Sequence, residues 1–91
     1  MVEFRWNSDK ARSNVKKHRV CFDEAVSAFY DPFSITVPDP DHSVGESRFL
    51  LLGMSNRNRL LVVCHTDRGE IIRIISARPV TRRERETYET V

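Results

Sequence analysis

Residues 48–79, RFLLLGMSNRNRLLVVCHTDRGEIIRIISARP, decide the fold of this chain. They contain three apolar runs of strand length, at residues 48–54, 59–66 and 70–77. Short polar segments join these runs, and Gly69 in the second segment suits a residue with positive φ. The pattern predicts two consecutive antiparallel hairpins. We expect Pro79 to end the third strand and to hold Arg78 at that end.

Upstream of this stretch, the sequence predicts a short strand at 4–6, two helices and an extended segment at 34–37. Asn7 is a favoured N-cap for the first helix, which is expected to end near Lys17. One stripe of this helix should pack on the core, namely Ala11, Val15 and His18. A second stripe should be solvated and basic, namely Lys10, Asn14 and Lys17. The second helix covers 22–30, because the residue before Pro32 is pushed out of the helical region.

The last element is a helix that begins after Thr81, where Thr81 and Glu84 have the spacing of a capping box. The predicted order is therefore β-α-α-β-β-β-β-α. This order predicts an α+β fold with helices packed on an antiparallel sheet. A chain of 91 residues supports one core, so residues 1–91 are expected to form a single domain.

Composition excludes several classes of protein. Hydrophobic residues make up 40% of the chain and charged residues 31%, which is ordinary for a folded domain. No apolar run approaches the ~20 residues that cross a bilayer, so no membrane association is expected. The N-terminus lacks the pattern of a signal peptide, which predicts a cytoplasmic protein.

The charges are segregated along the chain. Residues 5–19 carry six bases and one acid, residues 20–47 carry six acids and no base, and residues 48–85 carry nine arginines and three acids. Twelve of the 15 basic residues are arginine, the residue type best suited to bidentate phosphate contacts. This distribution favours a basic face that binds RNA. Chance clustering on a solvated surface is the alternative.

A metal site is the alternative use of the cysteines and histidines. The candidate ligands are His18, Cys21, His42, Cys64 and His65. Cys64 and His65 are neighbours on a predicted strand, so their side chains should point to opposite faces. No pair has the spacing typical of zinc ligands, and two cysteines are too few for a disulfide framework. We therefore predict neither a metal nor another cofactor.

Three motifs cover nearly the whole chain. The first is Trp6-Asn7-x-x-Lys10, Asn14-x-x-Lys17-His18-x-Val20-x-Phe22-x-Glu24-Ala25 and Phe29-x-Asp31-Pro32; the second is Asp39-x-Asp41-His42 and Glu46-x-Arg48-Phe49; the third is Leu61-Val62-Val63-x-His65-Thr66, Arg73-Ile74-Ile75-Ser76-Ala77-Arg78, Thr81-Arg82-x-Glu84-Arg85 and Tyr88. In this order they resemble the BrnT family of ribonuclease toxins. Two residues depart from the family pattern: Arg19 replaces a glycine, and Cys21 replaces a capping serine.

The resemblance implies a RelE-like fold and a metal-independent endoribonuclease of a type II toxin–antitoxin system. In such enzymes the RNA 2′-hydroxyl attacks the adjacent phosphate. The implied partners are RNA and a cognate, BrnA-like antitoxin that covers the basic side, and DNA is bound only through that antitoxin. The alternative function is a non-catalytic basic adaptor, or a degenerate toxin that acts as co-repressor through its antitoxin.

Four residues are the predicted catalytic groups: His65 as acid or base, Arg73 and Arg78 as phosphate ligands, and Tyr88 to orient or stack on RNA. His65 could instead be a hydrogen-bonded structural residue, and Tyr88 could pack the last helix. Arg73 and Arg78 have opposite parity, so a regular strand cannot present both on one face. Either Arg78 leaves the strand before Pro79, or one arginine is structural.

A further set of basic residues is predicted to contact the RNA backbone, with a solvated face as the alternative. It comprises Lys17, Arg48, Arg82, Arg83 and Arg85.

Overall fold

The structure is a computed structural model that describes residues 1–39 and 47–90. Its elements are β1 (Glu3–Arg5), α1 (Ser8–His18), α2 (Phe22–Ala28), β2 (Ile35–Pro38), β3 (Arg48–Met54), β4 (Leu60–Arg68), β5 (Ile71–Pro79) and α3 (Arg82–Glu89). Their order is the predicted one, and the fold is α+β. The candidate metal ligand His42 lies outside the described residues, as do Asp41 and Glu46 of the second motif.

The five strands form one sheet in the order β1-β5-β4-β3-β2. Neighbouring strands from β2 to β5 are antiparallel, and for β3, β4 and β5 this confirms the two predicted hairpins. The prediction of a wholly antiparallel sheet is wrong, because β1 pairs with β5 in parallel. Turn chemistry fixes the direction of strands that are joined by short turns. It carries no information about β1, which two helices and three strands separate from β5.

Helices α1 and α2 pack on one face of the sheet. The core between them consists of Val20, Phe22, Ala25, Ala28, Leu51, Leu61, Val63, Ile74 and Ala77. A Cβ atom on Gly53 would lie 2.5 Å from the carbonyl oxygen of Ala28, so only glycine lets the end of α2 approach β3 this closely. Helix α3 contacts β3, and its Glu84 bonds to Arg78. Arg78 lies on the face of the sheet opposite α1 and α2, so α3 packs on that face.

A bulge in β5 decides which arginines share a face. Cys64 pairs with Ser76 and His65 pairs with Ile74, which leaves Ile75 as an extra residue. Arg73 and Arg78 therefore pair with Thr66 and Val62, which are four residues apart on β4 and share one face. The parity argument holds for a regular strand and does not apply here, because the bulge in β5 brings both arginines to one face. Arg78 does not leave the strand before Pro79, since β5 continues through that residue.

Asn14 joins α1 to the edge of β5. Its Nδ2 donates to the carbonyl oxygens of Val20 and Ala77, both at 2.8 Å, and its Oδ1 accepts from the N–H of Ala77 at 3.0 Å. The side chain is only 5% exposed, so the prediction that Asn14 faces solvent is wrong. The prediction that Val15 packs on the core is also wrong, because this residue is 44% exposed. The helix is rotated so that Asn14 can satisfy backbone groups of β5.

The turn between the two helices contains Arg19 and Cys21, the two residues that depart from the family pattern, and both have the local geometry that the sequence predicts to be unfavourable. Arg19 is left-handed with φ 58°, where a side chain costs about 1 kcal/mol relative to glycine. Cys21 occupies the N-cap of α2 and makes no side-chain capping bond. A partly buried ion pair holds the same turn: Arg59 bonds to the buried Glu24 carboxylate and to the carbonyl oxygen of Arg19. Because Arg59 donates to it, the pKa of Glu24 is lowered.

We expect Asn14→Ala to lower the free energy of unfolding by about 2–4 kcal/mol, because it leaves buried backbone groups without partners. Urea denaturation measures the change. Asn56→Ala, in the exposed turn after β3, is the matched control and should stay within about 0.5 kcal/mol of the parent chain. Equal stability of the two variants would contradict the structural importance of Asn14.

Candidate functional site

An arginine-lined cleft opens on the sheet face opposite α1 and α2. Its volume is about 280 Å³, and the residues that line it are Arg5, Thr66, Arg68, Ile71 and Arg73. They come from three adjacent strands in register, since Arg73 pairs with Arg5 on one side and with Thr66 on the other. We call this the arginine cleft. Arg48, on β3, is the next residue in the same row because it pairs with Thr66.

The charge of the arginine cleft is largely uncompensated. Arg68 and Arg73 are exposed and form no ion pair with any described residue. Arg5 is paired with Glu3 at 2.5 Å, in a pair that is more than half exposed and therefore weak. Guanidinium groups present fixed donors that match the oxygens of a phosphate. The cleft is thus suited to bind a phosphate group.

Arg78 lies on the same face, but its guanidinium group is already paired with a carboxylate of the fold. Its two terminal nitrogens donate to the two oxygens of Glu84, each at 2.8 Å. These bonds raise the pKa of Arg78 and lower the pKa of Glu84 to about 2. Arg78 is five residues from Arg73, about 13 Å along a bulged strand. It therefore anchors α3 to the sheet and does not line the arginine cleft.

His65 lies on the other face of the sheet, inside the core. Its ring is 2% exposed, lies 4.9 Å from the ring of Phe29 and is stacked on Phe49 at 5.8 Å. Nδ1 is 2.6 Å from Oδ1 of Asp67, and Nε2 is buried without a partner among the described residues. Because His65 and Thr66 are successive residues of β4, the histidine points away from the arginine cleft. Contact with a substrate would require the core to open.

Tyr88 also holds the fold together. Its hydroxyl donates to Oδ2 of Asp31 at 2.5 Å, and the same carboxylate accepts the N–H groups of Met54 and Phe33. The bond to Asp31 raises the pKa of Tyr88 to about 12 and helps to lower the pKa of Asp31. Tyr88 thus fastens α3 to the turn that follows α2. The structure therefore gathers only Arg73, of the four predicted catalytic residues, into the arginine cleft.

The predicted RNA-backbone contacts lie on two faces of the molecule. Lys17 is exposed on α1, Arg48 is half-buried beside the arginine cleft, and three arginines are exposed on α3, namely Arg82, Arg83 and Arg85. Two arginines of the cleft, Arg5 and Arg68, are absent from the sequence-based prediction. Arg5 could be found only from the parallel pairing of β1, and the sequence predicts Arg68 in a turn, whereas β4 continues through it.

Two further features bear on the kind of site this is. Within residues 1–39 and 47–90, no three His, Cys, Asp or Glu side chains are grouped closely enough to hold a metal ion. In the same ranges no helix is long and apolar enough to cross a membrane.

The Arg78–Glu84 pair predicts a pH dependence of stability. Glu84 titrates near its ordinary pKa of 4.5 when unfolded and at about 2 when folded. Because the folded pKa is lower, the stabilisation is complete above 4.5 and is lost as the pH falls from 4.5 towards 2. We expect Glu84→Gln to cost about 1–2 kcal/mol at neutral pH, after allowance for solvent screening, and to flatten this dependence. Urea denaturation over that pH interval measures both effects.

Glutamine can still accept the N–H of Thr81, so this variant keeps the capping box and removes the charge together with one of the two acceptors of Arg78. Glu86→Gln, on the exposed side of α3, is the control and should keep the pH profile of the parent chain. An unchanged profile in Glu84→Gln would contradict the role assigned to the ion pair.

The chain matches a protein-family model and is similar to a solved structure. A family model described as "Ribonuclease toxin, BrnT, of type II toxin-antitoxin system" matches residues 6–84. The structure is similar to the crystal structure of the Brucella abortus ribonuclease toxin BrnT, with a TM-score of 0.65 and 19% sequence identity, over 90% of this chain and 100% of that chain. At this identity the likeness shows a shared fold. No protein of curated function matches the sequence.

Proposed function

This chain belongs to the BrnT family of ribonuclease toxins of type II toxin–antitoxin systems, and we propose that it cleaves RNA at the arginine cleft without a metal ion. The observation that carries the proposal is the convergence of Arg5, Arg68 and Arg73 from three strands around one cleft. Two of these three guanidinium groups have no carboxylate partner among the described residues.

The reaction proposed is the metal-independent cleavage of RelE-like toxins. The 2′-oxygen of a ribose loses its proton and bonds to the adjacent phosphorus, the bond to the 5′-oxygen breaks, and that oxygen gains a proton. The products are a 2′,3′-cyclic phosphate and a 5′-hydroxyl. Negative charge grows on the phosphate during this step, and preorganised donors in the arginine cleft would stabilise it. The Thr66 hydroxyl is a further donor at the same place.

In this proposal His65, Arg78 and Tyr88 position the catalytic elements and do not touch the RNA. Each is bonded to a carboxylate of the fold, respectively Asp67, Glu84 and Asp31. The proposal thus keeps Arg73 as a catalytic residue and reassigns the other three.

The partners proposed are RNA, as substrate, and an antitoxin resembling BrnA. Carboxylates of the antitoxin would occupy the arginine cleft and so exclude phosphate. DNA would be bound through the antitoxin and not by this chain. Because the proposed substrate is cellular RNA, the proposed place of action is the cytoplasm.

One observation favours a second candidate, a non-catalytic binding module or degenerate toxin acting as co-repressor. The described residues that line the arginine cleft include no imidazole or carboxylate to move a proton. Purified protein that binds RNA but leaves it intact would support this candidate over the enzyme.

We expect Arg73→Ala to slow RNA cleavage about a hundredfold to a thousandfold, because it removes charge stabilisation at the phosphate. Its free energy of unfolding should change by less than about 0.5 kcal/mol, because the side chain is exposed and unpaired among the described residues. Cleavage should survive EDTA, and DNA should resist because it lacks the 2′-hydroxyl. Single-turnover rates per folded molecule, with thermal melts, measure these effects. Arg12→Ala, an exposed arginine of α1 outside the cleft, is the matched control and should leave the rate unchanged.

The residues reassigned to structural roles should show the opposite pattern, a loss of stability without a loss of rate. His65→Ala should destabilise the fold by about 2–4 kcal/mol and Tyr88→Phe by about 1–2 kcal/mol, with little change in rate per folded molecule. A stable but inactive His65→Ala variant would return His65 to the catalytic residues. Full activity of Arg73→Ala would place the active site elsewhere.

A further inference from the structure

A second basic cleft lies between α1 and the part of β5 that β1 does not cover. Its volume is about 230 Å³, and its lining residues are Lys10, Ser13, Asn14, Lys17, His18, Ile75 and Ser76. We call it the lysine cleft. Nothing in the proposed reaction uses it.

The lining of the lysine cleft is suited to phosphate groups. Lys10 and Lys17 are seven residues apart and therefore lie on one side of α1, about 10 Å from each other along its axis. Both are exposed, and neither forms an ion pair with a described residue. Ser13 and Ser76 add hydroxyl donors, and the described lining contains no carboxylate.

The lysine cleft adjoins the arginine cleft. Ser76 pairs with Cys64 and Arg73 pairs with Thr66. These two β4 partners are two residues apart, so Ser76 and Arg73 lie on the same face about 7 Å apart along the sheet. The extra residue Ile75 lies between them and lines the lysine cleft at the strand edge. An RNA strand that leaves the arginine cleft along β5 therefore reaches the lysine cleft next.

We propose that one single strand of RNA spans both clefts, with the reacting phosphate in the arginine cleft and a neighbouring phosphate in the lysine cleft. This inference rests on the proposed function, since it states how the same substrate is held. The path bends from the sheet face around the edge of β5 to α1. A single strand can follow that bend, whereas the regular backbone of an A-form duplex cannot. The lysines bind substrate and do not touch the reacting atoms.

A binding measurement tests this proposal separately from cleavage. The probes are a decanucleotide and a dinucleotide of 2′-O-methyl RNA, which cannot be cut because the attacking hydroxyl is blocked. Lys10→Gln and Lys17→Gln should each weaken decanucleotide binding several-fold. Each should also reduce the log–log salt slope by about 0.7 for every phosphate that the variant no longer neutralises. Dinucleotide binding, which fills only the arginine cleft, should stay unchanged.

Lys16→Gln is the matched control. Lys16 is exposed beside Lys17 in the last turn of α1 and does not line the cleft, so it reports any general effect of charge or of the helix dipole there. We expect it to bind both probes as the parent chain does. With cleavable decanucleotide, the two cleft variants should raise KM and keep kcat.

Two outcomes overturn the proposal: decanucleotide binding by Lys10→Gln and Lys17→Gln equal to that of the parent chain, or an equal weakening in Lys16→Gln. Failure of the parent chain to cut RNA would instead remove the proposed function. The binding comparison would still decide whether the lysine cleft holds RNA.

Discussion

The hydrogen bonds of the buried Asn14 amide hold the edge of β5 beyond β1, which lines the lysine cleft. β1 pairs with β5 only as far as Arg73, so the next part of β5 has no described strand beside it on that edge. Asn14 supplies to Ala77 the donor and the acceptor that a neighbouring strand would supply, and it also bonds to Val20 in the turn between α1 and α2. Buried backbone groups need such partners. One side chain therefore fixes a helix, a turn and a strand edge relative to one another.

The sequence is sufficient to predict the elements, because apolar runs and polar turns constrain strands that follow one another. Residues 48–54 agree with β3 residue for residue, and the positive φ predicted for Gly69 is confirmed at 61°. Two features have no local signal. The parallel pairing of β1 depends on contacts across most of the chain. The bulge at Ile75 lies between Ile74 and Ser76, without the glycine that often marks one.

The candidate site is harder to predict, because residue type indicates chemistry but not exposure. The prediction of His65 rests on its imidazole, and that of Tyr88 on a ring that can stack on bases. The fold buries the first between aromatic rings and bonds the second to a carboxylate. Arg73 could be predicted because its place in the site requires only that it lie in a strand and on the exposed face of the sheet. Arg5 and Arg68 could not, because their place beside Arg73 follows from register and from the true end of β4.

What separates structural arginines from those available to a ligand is the partner that each one has. Arg59 and Arg78 are held by Glu24 and Glu84; the first pair joins α2 to the turn before β4, and the second joins α3 to β5. Arg68 and Arg73 have no such carboxylate among the described residues, and like charges held together in one cleft repel each other. That repulsion opposes folding while the cleft is empty, and a bound anion would relieve it. The same uncompensated charge that costs stability therefore favours the binding of a phosphate or of an acidic partner.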